Sequence, residues 1–292
     1  MAKETKTKVP QNKKHYSAQH MVAAFFKYLL LIISAIAAIL PMVVVLFGAF
    51  KTTAEFSATT PLTLPKSWLN FENFKTAFVK GNMVTGFLNT VIVVGISVFL
   101  TIVFGTMTAY VINRFKFKFS KIVNTAFLVA SLIPSITMQM SVFQIISKLG
   151  LFNHRAALII LFAGTDIISI YIFVQFLENI SVSLDESAII DGASYFTIYT
   201  RILLPLMKPA IVTVLIIKGI GFYNEFYTAF LYNPNPKLAV VSTALFKFKG
   251  PFGAQWEIIC AGVIITIIPA LIIFLLLQKQ IYSGLTNGAV KG

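Results

Sequence analysis

The sequence predicts an all-α integral membrane protein with six transmembrane helices. Of its 292 residues, 57% are apolar, 12% are charged and 28 are phenylalanine. A soluble chain of this length does not need so much apolar surface for one core. A helix needs about 20 apolar residues to cross the hydrocarbon layer. Six stretches meet this requirement: 28–50, 87–112, 122–146, 156–176, 210–231 and 258–277.

Basic residues beside the spans predict the orientation, because short cytoplasmic segments are enriched in lysine and arginine, whereas carboxylates have little influence. An even number of spans places both termini on one side. Two basic clusters, in the amino-terminal tail and after the second span, predict that this side is the cytoplasm. The opposite loops also carry lysines, so the bias depends mainly on the two clusters. They are Lys3, Lys6, Lys8, Lys13, Lys14 and Lys27, and Arg114, Lys116, Lys118 and Lys121.

The net charge of +14 does not indicate a nucleic-acid partner. The basic residues flank apolar spans and are spread along the chain, so membrane insertion and anionic lipid headgroups explain them better. We therefore expect the lipid bilayer as a partner and no nucleic acid.

Prolines and turn residues divide the predicted spans. Pro41, Pro134 and Pro269 lie within spans, where we expect them to kink the helices. The Asn-Pro-Asn-Pro stretch at 233–236 is expected to end the fifth span.

No pattern in the chain indicates an enzyme or a metal site. The single cysteine, Cys260, lies in the sixth predicted span, which excludes an intramolecular disulfide. His15, His20 and His154 lack the spacing of metal ligands. The sequence has no Gly-x4-Gly-Lys-Ser/Thr phosphate loop, so we do not expect it to bind ATP in the P-loop manner. We expect no catalytic residue, no metal and no cofactor on this chain.

A polar insertion at 179–209, between the fourth and fifth spans, carries the clearest functional pattern. Such a loop must lie outside the hydrocarbon layer, where it can contact a soluble partner. Ser183 and Glu186 have the spacing of a capping box, so we expect a short helix over 184–191. Gly192 is expected to end this helix in the left-handed conformation.

A second short helix is expected to begin near Ser194 and to end before Pro205. On the first helix, Ser187 and Ala188 keep one face small enough for close approach of another protein.

Three carboxylates of the insertion, those of Asp185, Glu186 and Asp191, can pair with basic groups of a partner. The alternative interpretation is that Glu186 only caps its own helix and Gly192 only ends it. The two roles are compatible.

The spacing of the insertion resembles the EAA loop of ABC importer permeases. That loop has Glu-Ala-Ala, three residues, Gly, nine residues and Ile-x-Leu-Pro, and here Glu186, Ala188, Gly192 and Pro205 lie at these intervals. Ser187 replaces the usual first alanine, which exchanges one small residue for another.

Further stretches resemble the six-span permease subunit of maltose-type carbohydrate importers. They extend from about residue 82 to the end of the chain, whereas the tail and the first outer loop match only loosely. Tyr223 stands where that branch usually has tryptophan. The matching stretches are Asn89-Thr, Thr108-Ala-Tyr-Val-Ile-Asn-Arg114, Leu149-Gly-Leu-Phe-Asn153, Asp191-Gly-Ala-Ser194, Tyr223-Asn-Glu-Phe226 and 284–292.

The resemblance implies a type I ABC importer permease fold with a cytoplasmic coupling-helix loop. The chain would be the permease subunit of an ATP-driven importer in a bacterial cell membrane. It would pair with a second homologous permease to form a pathway for a sugar or oligosaccharide. Two cytoplasmic ATPase subunits would bind ATP and Mg²⁺, and an extracytoplasmic solute-binding protein would deliver the cargo.

The resemblance also implies two contacts with the ATPases. One is the loop, and the other is the carboxy-terminal tail, 286–292. The expected loop contacts are Ser183, Asp185, Glu186, Ser187, Ala188, Asp191, Gly192 and Pro205, and those of the tail are Thr286, Asn287 and Gly288.

Charged residues within the spans are a separate signal, because a charge near the bilayer centre costs about 2.5–3.5 kcal/mol on insertion scales. Asp166, Lys218 and Glu225 are such residues. One interpretation is an ion pair between Asp166 and Lys218 that fixes the packing of the fourth and fifth spans. Lys218 and Glu225 are also two turns apart, so we expect them to share one helix face.

The other interpretation is functional. Tyr223, Asn224 and Glu225 would line the pathway, where an aromatic ring stacks on a sugar and polar groups bind its hydroxyls. Asp166 and Asn89 belong to the same predicted pathway set.

Three other functions remain open. An ion-coupled secondary carrier would use Asp166, Lys218 and Glu225 as a relay and would need no ATPase. An ABC importer permease for a non-sugar solute has the same loop. A membrane scaffold would recruit a soluble protein without transporting anything.

The predicted organisation follows the spans. Residues 1–27 form a cytoplasmic basic tail, and 28–82 comprise the first span and an extracytoplasmic loop. Residues 83–278 form the permease domain, with the coupling loop at 179–209, and 279–292 form a cytoplasmic tail.

Overall fold

The structure, a computed structural model, describes residues 18–115, 118, 120–164, 166–251 and 253–289. These residues are mostly helical. The helices of the first part of the chain are α1 (Ala18–Phe50), α2 (Thr53–Ala58), α3 (Glu72–Lys80), α4 (Met83–Arg114), α5 (Ser120–Leu132), α6 (Ser135–Lys148), α7 (Arg155–Ala163), α8 (Ile167–Leu177) and α9 (Ser183–Ile190).

The remaining elements complete the second half of the chain. They are α10 (Tyr195–Thr197), a π-helical turn (Ile198–Leu203), α11 (Leu204–Leu206), α12 (Lys208–Asn224), α13 (Tyr227–Tyr232), a 3₁₀ turn (Pro236–Leu238), α14 (Val241–Ala244), a second 3₁₀ turn (Leu245–Phe248), the antiparallel strands β1 (Lys249–Gly250) and β2 (Gly253–Ala254), and α15 (Trp256–Ala289).

Within the part of the chain that the structure describes, three helices are each long and apolar enough to cross a membrane alone. They comprise Met21–Phe50 of α1, Met83–Arg114 (α4) and Trp256–Gln278 of α15. They coincide with the first, second and sixth predicted spans. Helix α1 begins at Ala18, ten residues before the predicted span, and α15 continues to Ala289, into the segment predicted as a tail.

The other three predicted spans are broken helices. Pro134 separates α5 from α6, because proline lacks a backbone donor and disfavours helix in the residue before it. Helices α7 and α8 meet at an angle of 41°. Helix α12 ends at Asn224, and α13 begins at Tyr227. Pro41 and Pro269, by contrast, lie inside continuous helices.

Helix α4 organises the packing, since it contacts α3, α7, α8, α12 and α14. It packs closely on α8 at Gly105, where an added Cβ would lie 2.9 Å from the ring of Phe173. Phe173 is completely buried. A second close approach joins α1 to α15, because a Cβ at Gly48 would lie 3.0 Å from the sulfur of Cys260. Cys260 therefore has the packing role that its position in the span suggests.

An aromatic and polar network covers the end of α1. The rings of Phe50, Phe71 and Phe74 contact one another, with centroids 5.1 to 5.9 Å apart. The Asn73 amide donates hydrogen bonds to the carbonyls of Ala49 and Lys51, both at 2.8 Å. The segment between α1 and α4 is thus an ordered part of the fold.

We predict that Gly105→Ala destabilises the protein by about 1–3 kcal/mol, because the methyl group would overlap the buried Phe173 ring. The apparent melting temperature of the detergent-purified protein measures the effect. Gly95→Ala is the matched control on the same helix, since nothing lies within 4 Å of a Cβ added there. Equal melting temperatures for the two variants would contradict the predicted close packing of α4 and α8.

Candidate functional site

The polar insertion between α8 and α12 folds as two short helical segments. Helix α9 ends at Ile190, and Gly192, two residues further on, has a φ of +83°, which confirms the predicted left-handed stop. The Gly192 amide donates to the Ile189 carbonyl at 3.0 Å and the Ala193 amide to the Ala188 carbonyl at 2.9 Å, the pattern of a Schellman motif.

The predicted capping box is wrong. Ser183 is the first residue of α9, and no side chain caps that end of the helix. The Ser183 hydroxyl pairs instead with the Ser181 hydroxyl at 2.7 Å, and Ser187 donates to the Ser183 carbonyl at 2.8 Å. Local bonds among serines therefore replace the cap that the spacing suggested.

The second helical segment begins as predicted. The Ser194 hydroxyl accepts a hydrogen bond from the Thr197 amide at 3.2 Å. The segment does not end before Pro205, however, but continues to Leu206. The preceding π-helical turn widens the helix, and the Leu204 amide bonds to the Tyr199 carbonyl, five residues back. The segment then bends by 72° into α12.

A buried ion pair joins the insertion to the central helix. The Nε of Arg114, the last residue of α4, lies 3.2 Å from the carboxylate of Asp185. The same guanidinium donates to the carbonyls of Leu177 at 3.4 Å and Ile180 at 2.9 Å, just where α8 ends. The two charged side chains are only 7% and 9% exposed. One guanidinium thus holds the ends of α4 and α8 and the first turn of α9, and we call this arrangement the Arg114 latch.

Asp185 is therefore not the surface carboxylate that the sequence predicted. Among the residues that the structure describes, none donates a hydrogen bond to its carboxylate in good geometry. Arg114 is the group that compensates its charge, and an unpaired buried charge is strongly unfavourable.

Ala188 also differs from the prediction, since it is 7% exposed and belongs to the core cluster around Phe173. Its small side chain allows α9 to approach the molecule itself. Beneath α9, Tyr110 stacks on Tyr199 with centroids 5.6 Å apart, and the Thr106 and Tyr199 hydroxyls are 2.8 Å apart.

The outer surface of the insertion combines acidic and apolar side chains. Glu186 and Asp191 are exposed, as are Ser183, Ser187, Gly192 and Pro205. Ile190 is 86% exposed and Phe196 is 70% exposed. We call Glu186, Ile190, Asp191 and Phe196 the outer loop surface. A monomeric soluble surface rarely presents such side chains together, and they are typical of a contact site.

Sequence reasoning missed Ile190 and Phe196. A signal was available: large apolar residues within a short polar loop have no span to bury them.

The predicted carboxy-terminal contact lies at the end of α15. Thr286, Asn287 and Gly288 belong to its last turns, so the chain is helical there rather than an extended tail. Residues 290–292 lie outside the described residues.

The polar residues of the fourth and fifth spans pair with each other. The Lys218 ammonium lies 2.6 Å from the Asp166 carboxylate. Asp166 also caps α8, since it accepts hydrogen bonds from the amide of Ser169, at 3.3 Å, and from the Ser169 hydroxyl. The ion-pair interpretation is confirmed. Both carboxylate oxygens of Asp166 are engaged in these contacts, so neither is free for the predicted role in the pathway.

Tyr223, Asn224 and Glu225 lie where α12 ends. The Tyr223 hydroxyl donates to the Thr266 carbonyl of α15 at 2.7 Å. Asn224 is exposed and donates to the Ile220 carbonyl at 3.1 Å. Glu225 follows the helix and accepts a hydrogen bond from the Thr228 amide at 2.9 Å.

The prediction that Lys218 and Glu225 share a helix face is therefore wrong, because α12 ends at Asn224.

Asn89 is 1% exposed, and its amide group is fully used within the protein. It donates to the carbonyls of Lys237 at 3.0 Å and Ala239 at 2.9 Å. Its oxygen accepts from two nitrogens of Arg155, at 2.8 and 2.9 Å. Asn89 thus fastens α4 to α7 and to the segment after α13, which argues against the predicted contact with cargo.

In the described ranges, no group of three or more histidine, cysteine or acidic residues is arranged so that it could hold a metal ion.

The Arg114 latch leads to a stability prediction. Arg114→Met leaves the buried Asp185 carboxylate unpaired, which we expect to cost about 3–5 kcal/mol. The apparent melting temperature of the purified protein should fall by several degrees. In Arg114→Met/Asp185→Leu both charges are gone, and most of the loss should be recovered, because apolar replacements of a buried pair are often tolerated. An equal loss in the single and double variants would contradict charge compensation by Arg114.

Comparison with known proteins identifies the family to which this architecture belongs. Residues 101–287 match the family described as binding-protein-dependent transport system inner membrane component. The chain is 32% identical over 271 residues to the probable starch degradation products transport system permease protein AmyC of Thermoanaerobacterium thermosulfurigenes, covering 91% of this chain and 97% of the relative. It is 34% identical over 206 residues to the trehalose/maltose transport system permease protein MalG of Thermococcus litoralis, covering 70% and 74%.

Solved structures agree on the fold. A chain of a bacterial ABC transporter involved in the import of the acidic polysaccharide alginate superposes with a TM-score of 0.80 at 20% identity, covering 91% of this chain and 99% of that one. The predicted ABC importer permease fold is confirmed. With its apolar helices and the family match over most of its length, the chain belongs to the inner membrane components of binding-protein-dependent transport systems.

Proposed function

We propose that this chain is a permease subunit of an ATP-driven importer for a sugar or oligosaccharide. It forms the transmembrane pathway together with a second, homologous permease. The names of its relatives support the cargo class, since they refer to starch degradation products and to trehalose and maltose. A further relative, at 29% identity over 266 residues, is the melibiose/raffinose/stachyose import permease protein MelC of Bacillus subtilis.

The outer loop surface is the observation that carries the coupling role. It combines two exposed carboxylates, those of Glu186 and Asp191, with the exposed side chains of Ile190 and Phe196. Protein interfaces combine apolar and charged side chains in this way. We propose that this surface docks on a separate cytoplasmic ATPase subunit that presents basic groups. Each of the two permeases docks on its own ATPase subunit. ATP and Mg²⁺ bind to those ATPases, since this chain has no phosphate loop.

The docking role implies an orientation. The loop and both termini lie in the cytoplasm of a bacterial cell, and the segment between α1 and α4 lies outside. The helical end of α15, with Thr286, Asn287 and Gly288, is a second candidate contact with the ATPases. An extracytoplasmic binding protein delivers the cargo to the outer end.

The Arg114 latch supports the transmission of force. Because its guanidinium holds α9 and the ends of α4 and α8, a push on the outer loop surface reaches α4 directly. Helix α4 in turn contacts five other helices of the bundle. Docking and movement of the spans are thereby mechanically linked.

The polar groups that are available to bind cargo lie at the break between α12 and α13. Asn224 is exposed and Glu225 is partly exposed, whereas Asn89 and Asp166 are engaged in structural contacts. Tyr223 presents a ring whose hydroxyl is anchored on α15. We propose that Tyr223, Asn224 and Glu225 contribute to the pathway, where carboxylate and amide groups bind sugar hydroxyls.

We predict that Glu186→Arg abolishes coupling while the protein remains folded in the membrane, because a like charge would face a basic pocket. Co-purification of the ATPase with the permease should fall at least about tenfold, with ATP-dependent uptake of labelled maltose, trehalose or melibiose falling in parallel. Glu178→Arg is the matched control, since Glu178 is an exposed glutamate at the end of α8, outside the outer loop surface. Full ATPase association and uptake in Glu186→Arg would refute the docking role.

The uptake assay also separates the importer from an ion-coupled carrier. In vesicles that contain this chain alone, the importer moves no sugar under an ion gradient. Uptake by the lone chain without ATPase subunits would support the carrier.

For the pathway, we predict that Glu225→Gln changes the rate or the cargo preference of uptake about tenfold or more while assembly is intact. The amide keeps the shape of the side chain and can still accept the hydrogen bond from Thr228, so folding should be preserved. An unchanged uptake profile across maltose, trehalose and melibiose would remove Glu225 from the pathway.

A further inference from the structure

Two buried hydroxyl groups of α4 form no hydrogen bond. Ser97 is completely buried and Thr101 is 2% exposed, and neither hydroxyl has a hydrogen-bond partner in the part of the chain that the structure describes. The other buried threonines of this helix, Thr90 and Thr106, each donate to the carbonyl four residues back at 2.7 Å. We call the hydroxyls of Ser97 and Thr101 the orphan hydroxyls. A buried polar group without a partner destabilises the arrangement that contains it, so these two groups require an explanation.

The orphan hydroxyls face the junction of α7 and α8. They belong to a row of residues spaced four apart along α4, and such a row runs along one side of a helix. The row begins at Asn89, which binds Arg155 at the start of α7, and ends at Gly105, which packs on Phe173 of α8. Because the orphan hydroxyls lie between these two contacts, they are level with the end of α7 and the start of α8.

The junction carries backbone acceptors that no helix continues to bind. Helix α7 ends at Ala163, α8 begins at Ile167, and the two helices meet at 41°. The carbonyls of the last turn of a helix have no amide partner within that helix. The Asp166 carboxylate is already bound by Ser169 and Lys218. The carbonyls at the end of α7 are therefore the acceptors opposite the orphan hydroxyls, although the orphan hydroxyls bind none of them in this arrangement.

We propose that the orphan hydroxyls bind the carbonyls at the end of α7 in a second arrangement of the bundle, which α7 and α8 reach by changing the angle between them. Hinges in proteins lie at the ends of such elements, where a few residues absorb the change. The inference rests on the proposed function, because an importer must open its pathway to each side of the membrane in turn.

The Asp166–Lys218 ion pair decides which part moves. It joins the start of α8 to α12 at 2.6 Å, so a change of angle displaces the end of α7. Helix α4 is continuous across the same level, so it presents both orphan hydroxyls to the moving carbonyls. Bonds that are absent in one arrangement and present in the other lower the free energy of the second relative to the first. The orphan hydroxyls thus bias the bundle towards the second arrangement.

The test compares the two arrangements in the assembled importer, reconstituted with its ATPase subunits and its binding protein. The apparent melting temperature is measured without nucleotide and after trapping with ADP and vanadate, which arrests ATP hydrolysis part-way through the cycle. Thr101→Val keeps the shape of the side chain and removes the hydroxyl. It should raise the melting temperature of the nucleotide-free importer by about 2 °C, because an unbonded group is lost. It should lower that of the trapped importer by a similar amount, because a bond is lost.

Two further variants and an uptake assay complete the test. Ser97→Ala should shift the two melting temperatures in the same directions as Thr101→Val. Thr106→Val is the matched control on the same helix, because the Thr106 hydroxyl lies 2.8 Å from the Tyr199 hydroxyl, and it should lower the melting temperature of the nucleotide-free importer. ATP-dependent uptake of labelled maltose, trehalose or melibiose should fall several-fold in Thr101→Val.

A higher melting temperature of Thr101→Val in both states would overturn the inference, since the hydroxyl would then have no partner in either arrangement. A lower temperature in both states would also overturn it, because the hydroxyl would then be bonded before the hinge moves. Unchanged uptake in Thr101→Val would overturn it as well. If the wild-type importer neither hydrolyses ATP nor takes up these sugars, the proposed function fails and the inference fails with it. Wild-type uptake together with shifts of the same sign in both states would refute the hinge alone.

Discussion

The buried charge of Asp185 is the constraint on which the functional architecture depends. A carboxylate with so little exposure needs a positive partner, and the structure provides Arg114 at 3.2 Å. The same guanidinium binds the carbonyls of Leu177 and Ile180, so one side chain fixes where α4, α8 and α9 meet. Because this interaction turns Asp185 and Ala188 inwards, it leaves the other side of α9 free. The exposed Glu186 and Ile190 then form part of a surface that no span covers.

The same division between inward and outward groups explains the charged residues of the spans. Asp166 and Lys218 neutralise each other, and Asp166 caps the second half of a broken span. Their shared contact removes the cost that either charge would have alone in a membrane. The break in the fifth span instead leaves Asn224 exposed and Glu225 partly exposed. Breaks in the spans therefore have two roles here: one stabilises the bundle, and the other presents polar groups.

Part of the fold and of the candidate site is predictable from the sequence, because it depends on local chemistry. The apolar stretches locate the spans, Gly192 stops α9, and Ser194 caps the next helix, because each feature depends on neighbouring residues alone. Contacts between distant residues were not predictable in this way. The basic cluster around Arg114 predicts topology and not its bond to Asp185, and the predicted pathway role of Asn89 does not include its bond to Arg155. A single sequence indicates a distant pair only where chemistry demands one, as for Asp166 and Lys218, two opposite charges within the spans.

We propose that the Arg114 latch transmits ATPase engagement to the spans. The most direct measurement is the number of sugar molecules moved per ATP hydrolysed by the reconstituted importer carrying Arg114→Met/Asp185→Leu. This variant loses the bonds from the guanidinium to Leu177, Ile180 and Asp185, whereas the exposed docking side chains are unchanged. We expect ATPase association and hydrolysis to continue while the transport ratio falls several-fold. A ratio equal to that of the wild type would show that the Arg114 latch is not needed for coupling.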